Sequence, residues 1–557
     1  MRQIRLTLIR PEPWTRHFAR GIHLLFFGLF IASCGGGNDD SMRPSPILGS
    51  NATLASLSIN GADLDPAFDS SVTDYTAAVG FAAKSTQVTA TVEDVSANLS
   101  VNGTAVNSGV ASDSISLDEG TNTITVNVIA EDGITEQTYT VVIVRQSASA
   151  FAQKAYVKAF DPFENDAFGA KLALSGDGAK LAVAAPFVGI EFCGEEPWLG
   201  RPQSVYEYER DTNGVWTELP KIVEFSGSRP SFARDIDMSA DGSTLAVSAE
   251  LLGLFIFSRE GDGVWTQQKL DIQSPIASVY GFDLVALSAD GATLAVAVTY
   301  FLPTPSSIEA LYIFTRDSDG NWTEQAEITD DKYFFTCCDY TPDISLSGDG
   351  ETLAVSSLNR VYVFGRDNNN AWTERAELQQ FSNDSEDYFF GDSVELSRDG
   401  TTLAVGATFA GSAYVFRTDS NNVWTEEAFV RPSVRGPDQF GWSLALSADG
   451  TMLAVGAPFE DSGATGVNGD ESNNDATDRG AAWVFTRDSF GVWTQRAYLK
   501  ASTTLNTRHF GAEVSLSDDG TILAGGVPGD SRAATGVNGD SIEFGPGCAG
   551  ASYIFGL

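Results

Sequence analysis

The stretch FGWSLALSADGTMLAVGAP, residues 440–458, decides the fold because variants of it fill the last two-thirds of the chain. Its central Asp-Gly recurs seven times, with the glycine at Gly178, Gly242, Gly291, Gly350, Gly400, Gly450 and Gly520. The intervals run from 49 to 70 residues, so each copy is one supersecondary unit and the repeat predicts the architecture before any single motif does. A repeated unit also favours a display surface over a single catalytic cleft.

Each repeat contains four strand-like pieces. In the sixth they are Trp442–Ser447, Met452–Ala457, Ala481–Thr486 and Trp493–Lys500. The Asp-Gly joins the first two as a tight hairpin. The second piece is a short, continuously apolar run, which is typical of a strand covered on both faces. Sheets stacked side by side around an axis cover their strands in this way.

The seventh repeat ends at Leu557 without the Trp-Thr that opens the fourth strand in the other six. The missing piece stands at the other end of the region, because Phe151–Ala159 (FAQKAYVKA) aligns with Trp493–Ala501 (WTQRAYLKA). We therefore expect Phe151–Ala159 to pair beside Ala551–Phe555. Such closure removes exposed sheet edges. Residues 151–557 are predicted to form a seven-bladed β-propeller closed by its N-terminal strand.

The phrase resembles the FG-GAP repeat of integrin α-subunit propellers and their bacterial relatives. Phe440-Gly441 matches the FG and Gly456-Ala457-Pro458 the GAP. The resemblance implies a seven-bladed propeller used in protein interaction and adhesion. Integrin-type hairpins often carry an Asp-rich calcium loop, whereas the hairpin here has a single acid, Asp449. Calcium takes six to eight oxygen ligands, so this Asp-Gly is predicted to be a turn that fixes strand register.

The N-terminus indicates export. Residues 21–32 (GIHLLFFGLFIA) are too short for a spanning helix, which needs about twenty residues, and suit a signal-peptide core. The following Ile31-Ala32-Ser33-Cys34 resembles the lipobox of bacterial lipoproteins. The resemblance implies a signal peptide over 1–34, acylation of Cys34 and, from Gly35, outer-membrane sorting. Ordinary secretory cleavage is the alternative. Residues 35–52, rich in Gly, Ser, Asn and Pro, are predicted to be a flexible tether.

Residues 53–146 show period-two alternation, with Ile124, Val126 and Val128 on one face and a hairpin signal at Asp132-Gly133. About seven short strands in this length predict a small antiparallel β-sandwich. The segment resembles the cadherin-like β-sandwich domain of bacterial surface proteins, on residues that include Leu57, Gly61 and Tyr75, Gly120-x-Asn122 and the closing Thr138-Tyr139-Thr140. A rigid spacer and a ligand-binding module both remain open for it.

The connections between second and third strands are long in repeats 6, 7 and 1, at 459–480, 529–550 and 187–203. Two of them share the hexapeptide TGVNGD, at 465–470 and 535–540. Their acids form a candidate binding rim: Asp461, Asp470, Glu471, Asp475, Asp478, Asp530 and Asp540. Binding sites often lie on loops held by a rigid scaffold, although solvated loops with Asn-Gly turns would look the same. Asp470 and Asp540 are weak calcium candidates, and no other cofactor is expected.

Two cysteines belong to these long connections, Cys193 in repeat 1 and Cys548 in repeat 7. Closure of the ring would make them neighbours, and an oxidising envelope favours a disulfide between them. Cys337 and Cys338 are adjacent and form either a vicinal disulfide or free thiols. The recurring Trp residues, such as Trp493, are predicted to pack between blades; a carbohydrate platform is the alternative reading.

Charge and histidine content narrow the function. A formal net charge of −40 disfavours nucleic acid as a partner. Of three histidines only His509 lies outside the leader, which argues against Ser-His-Asp or Cys-His catalysis and against His-rich metal sites.

The sequence predicts a non-enzymatic surface lipoprotein of the cell envelope. It would be anchored in the outer membrane by its lipid alone, facing the periplasm or the exterior. Blades 6, 7 and 1 would bind a protein, matrix or polysaccharide partner. A carboxylate-based glycan hydrolase and a purely structural envelope component are the alternatives.

Overall fold

The computed structural model describes residues 48–62, 64–79, 85–118, 120–145, 151–186, 203–225, 232–249, 253–259, 261, 263–270, 272, 279–301, 307–329, 343–357, 359–379, 389–432, 434, 436, 438–488, 491–503, 508–539, 543, 545 and 547–557. These residues are all-β, and no helix occurs among them. Cys34 and most of the predicted tether lie outside this part of the chain.

The N-terminal strands have their own core. They are Leu54–Ile59, Asp74–Val79, Ser85–Thr86, Val88–Val92, Asn98–Val101, Thr104–Val106, Ile115–Ser116, Gly120–Ile129 and Glu136–Arg145. Alternate residues point inward, so that Ile124, Val126 and Val128 are buried as the alternation predicts. The buried Tyr139 hydroxyl donates to the Ser70 carbonyl at 3.1 Å and accepts from the Leu54 amide at 3.0 Å.

One pairing in this domain departs from the antiparallel prediction. Asp74–Val79 runs parallel to Glu136–Arg145, at the edge of a five-stranded sheet. The two strands are joined by a long crossover through the other strands and not by a hairpin, so nothing in the local sequence forces them to be antiparallel.

The rest of the described chain forms seven sheets, which we number in the order of their Asp-Gly hairpins, innermost strand first. Sheet 1 contains Lys171–Leu174, Lys180–Ala185, Gln203–Arg210 and Trp216–Glu218, with Val223–Phe225 beside the third strand. Sheet 2 contains Phe232–Met238, Thr244–Ala249, Gly253–Arg259 and Trp265–Leu270; sheet 3 contains Val279–Leu287, Thr293–Phe301, Ser307–Arg316 and Trp322–Ile328. Sheet 4 contains Ile344–Leu346, Thr352–Ser357, Arg360–Arg366 and Trp372–Leu378. Sheet 5 contains Phe390–Leu396, Thr402–Ala407, Ser412–Thr418 and Trp424–Val430; sheet 6 contains Ser443–Leu446, Met452–Ala457, Ala481–Arg487 and Trp493–Leu499. Sheet 7 contains Val514–Leu516, Ile522–Val527, Ala551–Gly556, Ala152–Lys158 and Gly536–Val537.

The fourth strand of sheet 7 comes from the start of the region. Ala152–Lys158 runs antiparallel to Ala551–Gly556, with Ala152 opposite Gly556 and Tyr156 opposite Tyr553. This is the position in which the repeat alignment places Phe151–Ala159.

Hydrophobic clusters lie between consecutive sheets. One cluster joins each successive pair from sheets 1 and 2 through sheets 6 and 7, and a further one joins sheet 7 to sheet 1. The apolar second strands are therefore covered on both faces, and Leu181, Ala182 and Val183 are all fully buried. The repeated Trp side chains belong to these clusters as well. Trp493 Nε1 donates to Glu427 of the preceding sheet at 3.0 Å, so packing between sheets explains the recurring Trp.

The glycine that begins Gly-Ala-Pro in one copy of the repeated phrase, or its variant, lies against the glycine of Phe-Gly in the next copy, between neighbouring sheets. A Cβ on Gly456 would lie 2.1 Å from the carbonyl oxygen of Gly511, and one on Gly526 would lie 1.9 Å from that of Gly169. Gly511 and Gly169 themselves adopt positive φ, at 85° and 89°. Side chains at these positions would force the sheets apart, which gives the repeated glycines a packing role.

Candidate binding face

The seven sheets present two different edges. The hairpins that join first to second and third to fourth strands lie at one edge, which we call the hairpin face. The connections between second and third strands, and those between sheets, lie at the opposite edge, which we call the loop face.

Acids on the hairpin face form turns. In the Ser-x-Asp-Gly hairpin of sheet 6, the Ser447 hydroxyl donates to Asp449 at 2.8 Å, and the same carboxylate accepts from the Thr451 amide at 3.0 Å. The corresponding acids of the other hairpins make the same two contacts: Asp177, Asp241, Asp290, Asp349, Asp399 and Asp519. The prediction of a register-fixing Asp-Gly turn is confirmed.

The shared TGVNGD hexapeptide on the loop face has a structural role. The Asn468 amide donates to the Tyr498 carbonyl at 2.7 Å, and the Tyr498 amide returns a bond to Asn468 Oδ1 at 3.0 Å. Asn538 makes the same pair with Tyr156, at 2.7 and 2.9 Å. Through its Asn, each hexapeptide is therefore docked on the fourth strand of its sheet. The need for this docking contact explains why the two loops share the same six residues.

A buried ion pair anchors the start of the long loop in sheet 7 and in sheet 6. In sheet 7, Lys158 Nζ lies 2.9 Å from Asp530, and both side chains are 0% exposed. Arg532 contacts the other oxygen of Asp530 at 2.7 Å. Burial lowers the pKa of the Lys158 ammonium, and the Asp530 charge opposes that effect. Asp530 was predicted as a rim residue, but the structure places it inside the protein.

Sheet 6 repeats this arrangement. Lys500 contacts Glu460, and the Tyr498 hydroxyl donates to the other carboxylate oxygen at 2.8 Å. Both charged side chains are almost completely buried. Glu460 was not among the predicted rim acids; its alignment with Asp530 was the signal that could have identified both as anchors.

The other predicted rim acids divide by exposure. Asp461 is half-buried and accepts the Asp478 amide at 2.8 Å, which shapes the loop. Glu471 is half-buried and accepts from Gln495 at 2.6 Å. Asp470 and Asp475 are exposed. Asp540 lies outside the described residues.

The calcium hypothesis gains no support from this loop. Asp470 accepts the amide and hydroxyl of Ser472, at 2.9 and 2.6 Å, and these bonds lower the pKa of its carboxyl. Within the described ranges no group of three His, Cys, Asp or Glu residues is arranged to hold a metal ion.

Cys548 is half-buried in the long loop of sheet 7. Its carbonyl accepts the Ala167 amide at 3.0 Å, and Gly550 bridges to Phe168. This loop therefore packs on the segment that enters sheet 1. Cys193, Cys337 and Cys338 lie outside the described residues, so the disulfide stays a prediction.

Carboxyl groups on the innermost strands were missed by the sequence reasoning. Asp235 and Asp237 of sheet 2 accept the Val285 and Leu287 amides of sheet 3, at 2.9 and 2.7 Å. Asp343, beside sheet 4, accepts the Val394 amide of sheet 5 at 2.8 Å. These carboxylates thus accept hydrogen bonds from backbone amides that would otherwise be unpaired at the inner edge of the following sheet.

Burial raises the pKa values of several inner carboxyls. The pKa of Asp237 and of Asp343 rises to about 6, that of Glu513 to about 7 and that of Glu395 to about 8. Lys171 lies 3.1 Å from Glu513 and 3.6 Å from Asp235 and counters part of their charge. A single strand offers no strong signal for this group, because its members come from different repeats.

Exposed apolar side chains differ between the two faces. In the described part of the seven sheets, the exposed phenylalanines lie at the loop face: Phe160, Phe163, Phe389, Phe409 and Phe429. The hairpin face instead exposes valines of the third-to-fourth hairpins: Val215, Val264, Val423 and Val492. Among the described residues of the seven sheets, the exposed phenylalanines therefore lie at one face.

Comparison with known proteins identifies one domain by sequence. Residues 54–146 match the cadherin-like β-sandwich domain. A protein of Evansella cellulosilytica named "Putative membrane protein" is 37% identical over 103 residues, which cover 18% of this chain. The chain spans only 15% of the length of that relative. No helix in the described ranges is long and apolar enough to cross a membrane.

Solved structures with propeller domains resemble the chain weakly. The Cps50 (Swd1) β-propeller domain of Myceliophthora thermophila has a TM-score of 0.42 at 10% identity, over 69% of this chain and 95% of that one. A "putative 6-phosphogluconolactonase" of Bacteroides uniformis has a TM-score of 0.40 at 12% identity, over 68% and 93%.

Proposed function

We propose that this protein is a non-enzymatic surface lipoprotein, anchored in the outer membrane through acylated Cys34. Its loop face binds a protein or matrix partner at sheets 6, 7 and 1. The cadherin-like domain and the propeller-like sheets support an adhesion-type surface protein. The lipobox-like Ile31-Ala32-Ser33-Cys34 supports the anchor.

A closed seven-bladed propeller of the FG-GAP type is part of this proposal. Its support is the pairing of Ala152–Lys158 with Ala551–Gly556, together with the hydrophobic cluster between sheets 7 and 1. The paired glycines of the repeated phrase fit the same arrangement. A Cys193–Cys548 disulfide would join the loops of sheets 1 and 7. Mass spectrometry of the unreduced protein should find the two cysteines in one linked peptide pair; alkylation of either thiol would refute the bridge.

The contrast between the two faces carries the binding assignment. On the hairpin face the repeated acids are used within their own turns. On the loop face, a long segment held by the Lys500–Glu460 pair presents Asp475 to solvent, and Asp470 is exposed there too although it accepts bonds from Ser472. Irregular loops fixed to a rigid scaffold are the usual place for recognition.

The inner carboxyls are the groups that a glycan hydrolase would need. Asp235, Asp237 and Asp343 instead accept amides from neighbouring sheets, a structural use. We therefore propose no hydrolase activity. Incubation of the purified protein with envelope polysaccharides should release no reducing ends; release that is lost in Glu395→Gln would overturn this assignment.

Charge reversal in the sheet 6 loop tests the binding site. Asp475→Lys changes an exposed carboxylate, and Asp319→Lys makes the same change in a third-to-fourth hairpin on the opposite face. The full-length variants should be compared for retention on immobilised outer-membrane, peptidoglycan and capsule fractions. We expect Asp475→Lys to lose retention and Asp319→Lys to keep it. Equal retention by both variants would contradict the proposal.

A further inference from the structure

Two pairs of side chains with exposed rings lie at the loop edge of sheet 5. Phe409 is 67% exposed in the short turn after Thr402–Ala407, and Phe389, 37% exposed, directly precedes the first strand. Their ring centroids are 6.2 Å apart. Phe429, also 37% exposed, lies near the end of the fourth strand, and the Arg431 guanidinium stacks over it at 3.8 Å from the centroid. We call Phe389, Phe409, Phe429 and Arg431 the sheet 5 platform.

Local contacts hold the platform in place. The Phe389 amide donates to Asn359 Oδ1 at 2.8 Å, which ties it to the neighbouring sheet 4. Thr408, beside Phe409, donates its hydroxyl to Asp392 on the first strand of sheet 5. The Phe429 ring packs against buried Tyr414, with centroids 4.8 Å apart. The exposed rings are therefore fixed before any partner binds, which lowers the entropic cost of binding.

Core packing does not explain the exposure of these rings. The core of sheets 4 and 5 already contains Phe390, Tyr414 and Phe416, which contact one another ring to ring. Phe409 and Phe389 lie outside that cluster, and much of the surface of each ring remains exposed to water. Phenylalanine and arginine are both enriched at protein interfaces relative to the rest of the protein surface, and exposed apolar patches mark interaction sites.

We propose that the sheet 5 platform is a docking site for a protein segment that carries apolar side chains flanked by Lys or Arg. This inference rests on the proposed role of the loop face in binding and assigns a partner class to a sector outside sheets 6, 7 and 1. The formal net charge of −40 attracts a basic partner and disfavours a second copy of this chain.

The chemistry of the rings favours a peptide over a glycan. All three platform rings are phenylalanine, which has no hydroxyl or N–H to offer a sugar hydroxyl. Of the polar atoms beside them, Asn359 Oδ1 already accepts the Phe389 amide, and the Thr408 hydroxyl already donates to Asp392. Arg431 can donate to a peptide carbonyl while it remains stacked on Phe429.

The test uses the full-length protein and short fluorescent peptides of alternating leucine and lysine, leucine and glutamate, or serine and lysine. Binding is followed by fluorescence anisotropy. We expect the leucine–lysine peptide to bind most tightly and Phe409→Ser to weaken it about tenfold or more. Val423→Ser is the matched control, because Val423 is 53% exposed at the hairpin end of the same sheet. It should leave the affinity unchanged.

Several results would overturn the proposal. Unchanged affinity in both Phe409→Ser and the double variant Phe389→Asn/Phe409→Ser would do so, provided that their unfolding midpoints match the wild type. If the serine–lysine peptide bound as tightly as the leucine–lysine peptide, the binding would be due to charge alone and the rings would have no part in it. Phe409-dependent binding to phosphatidylcholine vesicles or to soluble glycans, without binding of the leucine–lysine peptide, would assign the platform to another partner class.

The peptide assay also separates this inference from the proposed function. Asp475→Lys should leave affinity for the leucine–lysine peptide within about twofold while retention on envelope fractions is lost. Failure of the envelope assay alone therefore rejects the sheet 6 site, and failure of the peptide assay alone rejects the platform.

Discussion

Sheets 6 and 7 dock their long loops with the same set of contacts but take the contacting residues from different parts of the chain. Each has a buried lysine at or directly after the end of its fourth strand, an acid at the start of its long loop and an Asn that pairs with the fourth-strand backbone. In sheet 6 these residues come from one continuous segment. In sheet 7 the Lys158–Asp530 pair joins residues 372 positions apart.

The difference shows how one repeat can be divided between the two ends of a region. The contacts that dock a loop locally in sheet 6 also hold the terminal strand in sheet 7. Loss of a contact in sheet 6 should loosen a loop, whereas loss of its equivalent in sheet 7 should release the strand that completes the sheet. The following variants test this contrast.

The largest effect is expected from Asp530→Ala. It leaves Lys158 and Arg532 buried without their carboxylate, and the loss of one partner from a buried pair costs about 3–5 kcal/mol. Glu460→Ala leaves one buried cation, Lys500, and the neutral Tyr498 hydroxyl without their carboxylate and should cost less. Urea unfolding of the full chain measures both free energies. A larger loss for Glu460→Ala would contradict the role assigned to sheet 7.

Glycine substitution between sheets should come next. Gly526→Ala and Gly456→Ala place a Cβ against a backbone oxygen of the neighbouring sheet, and such overpacking costs about 1–3 kcal/mol. Gly463→Ala is the control, because its nearest neighbour would be 3.6 Å away. Thermal unfolding should show lower midpoints for the first two variants only. An equal midpoint for Gly456→Ala and Gly463→Ala would remove the packing explanation of the repeated glycine.

A smaller effect is expected from the shared hexapeptide. Asn538→Ala and Asn468→Ala each remove one side-chain acceptor from an outer-strand amide, which costs about 1 kcal/mol. Hydrogen exchange should speed up at the Tyr156 amide in the first variant and at the Tyr498 amide in the second. If closure makes sheet 7 more sensitive, only Asn538→Ala also speeds exchange across Ala551–Gly556. Faster exchange in neither strand would show that these bonds do not hold the hexapeptides.

The last expected effect is a pH dependence that the two sheets do not share. Glu513 lies just before the first strand of sheet 7, and the matching position in sheet 6 is Ser443. Burial raises the Glu513 pKa from 4.5 to about 7. Its protonated form favours folding, so its stabilising contribution is present below pH 4.5 and is lost as pH rises to 7. Glu513→Gln should remove the fall in stability between pH 4.5 and 7 that this raised pKa causes. An unaltered profile from urea titrations would refute this linkage.

Repetition explains what the sequence could predict. The Asp-Gly turns, the apolar second strands and the outer position of Phe151–Ala159 are all visible by comparing copies. The burial of Asp530 was missed because an acid in a polar loop looks solvated until Lys158 is placed beside it. Asp237 and Glu395 were missed because only some repeats carry an acid on the inner strand. The exposure of Phe409 contradicts the usual expectation for an apolar residue, and only the fold reveals it.

The origin of the last outer strand has a mechanical consequence. Any tension on the segment before residue 151 enters the seven sheets at Ala152. The load falls first on the Ala152–Gly556 pairing and last on Lys158, at the far end of the strand. If the protein is tethered through its N-terminus and pulled through its loops, the buried Lys158–Asp530 pair is therefore the last contact to break as the strand peels from the sheet.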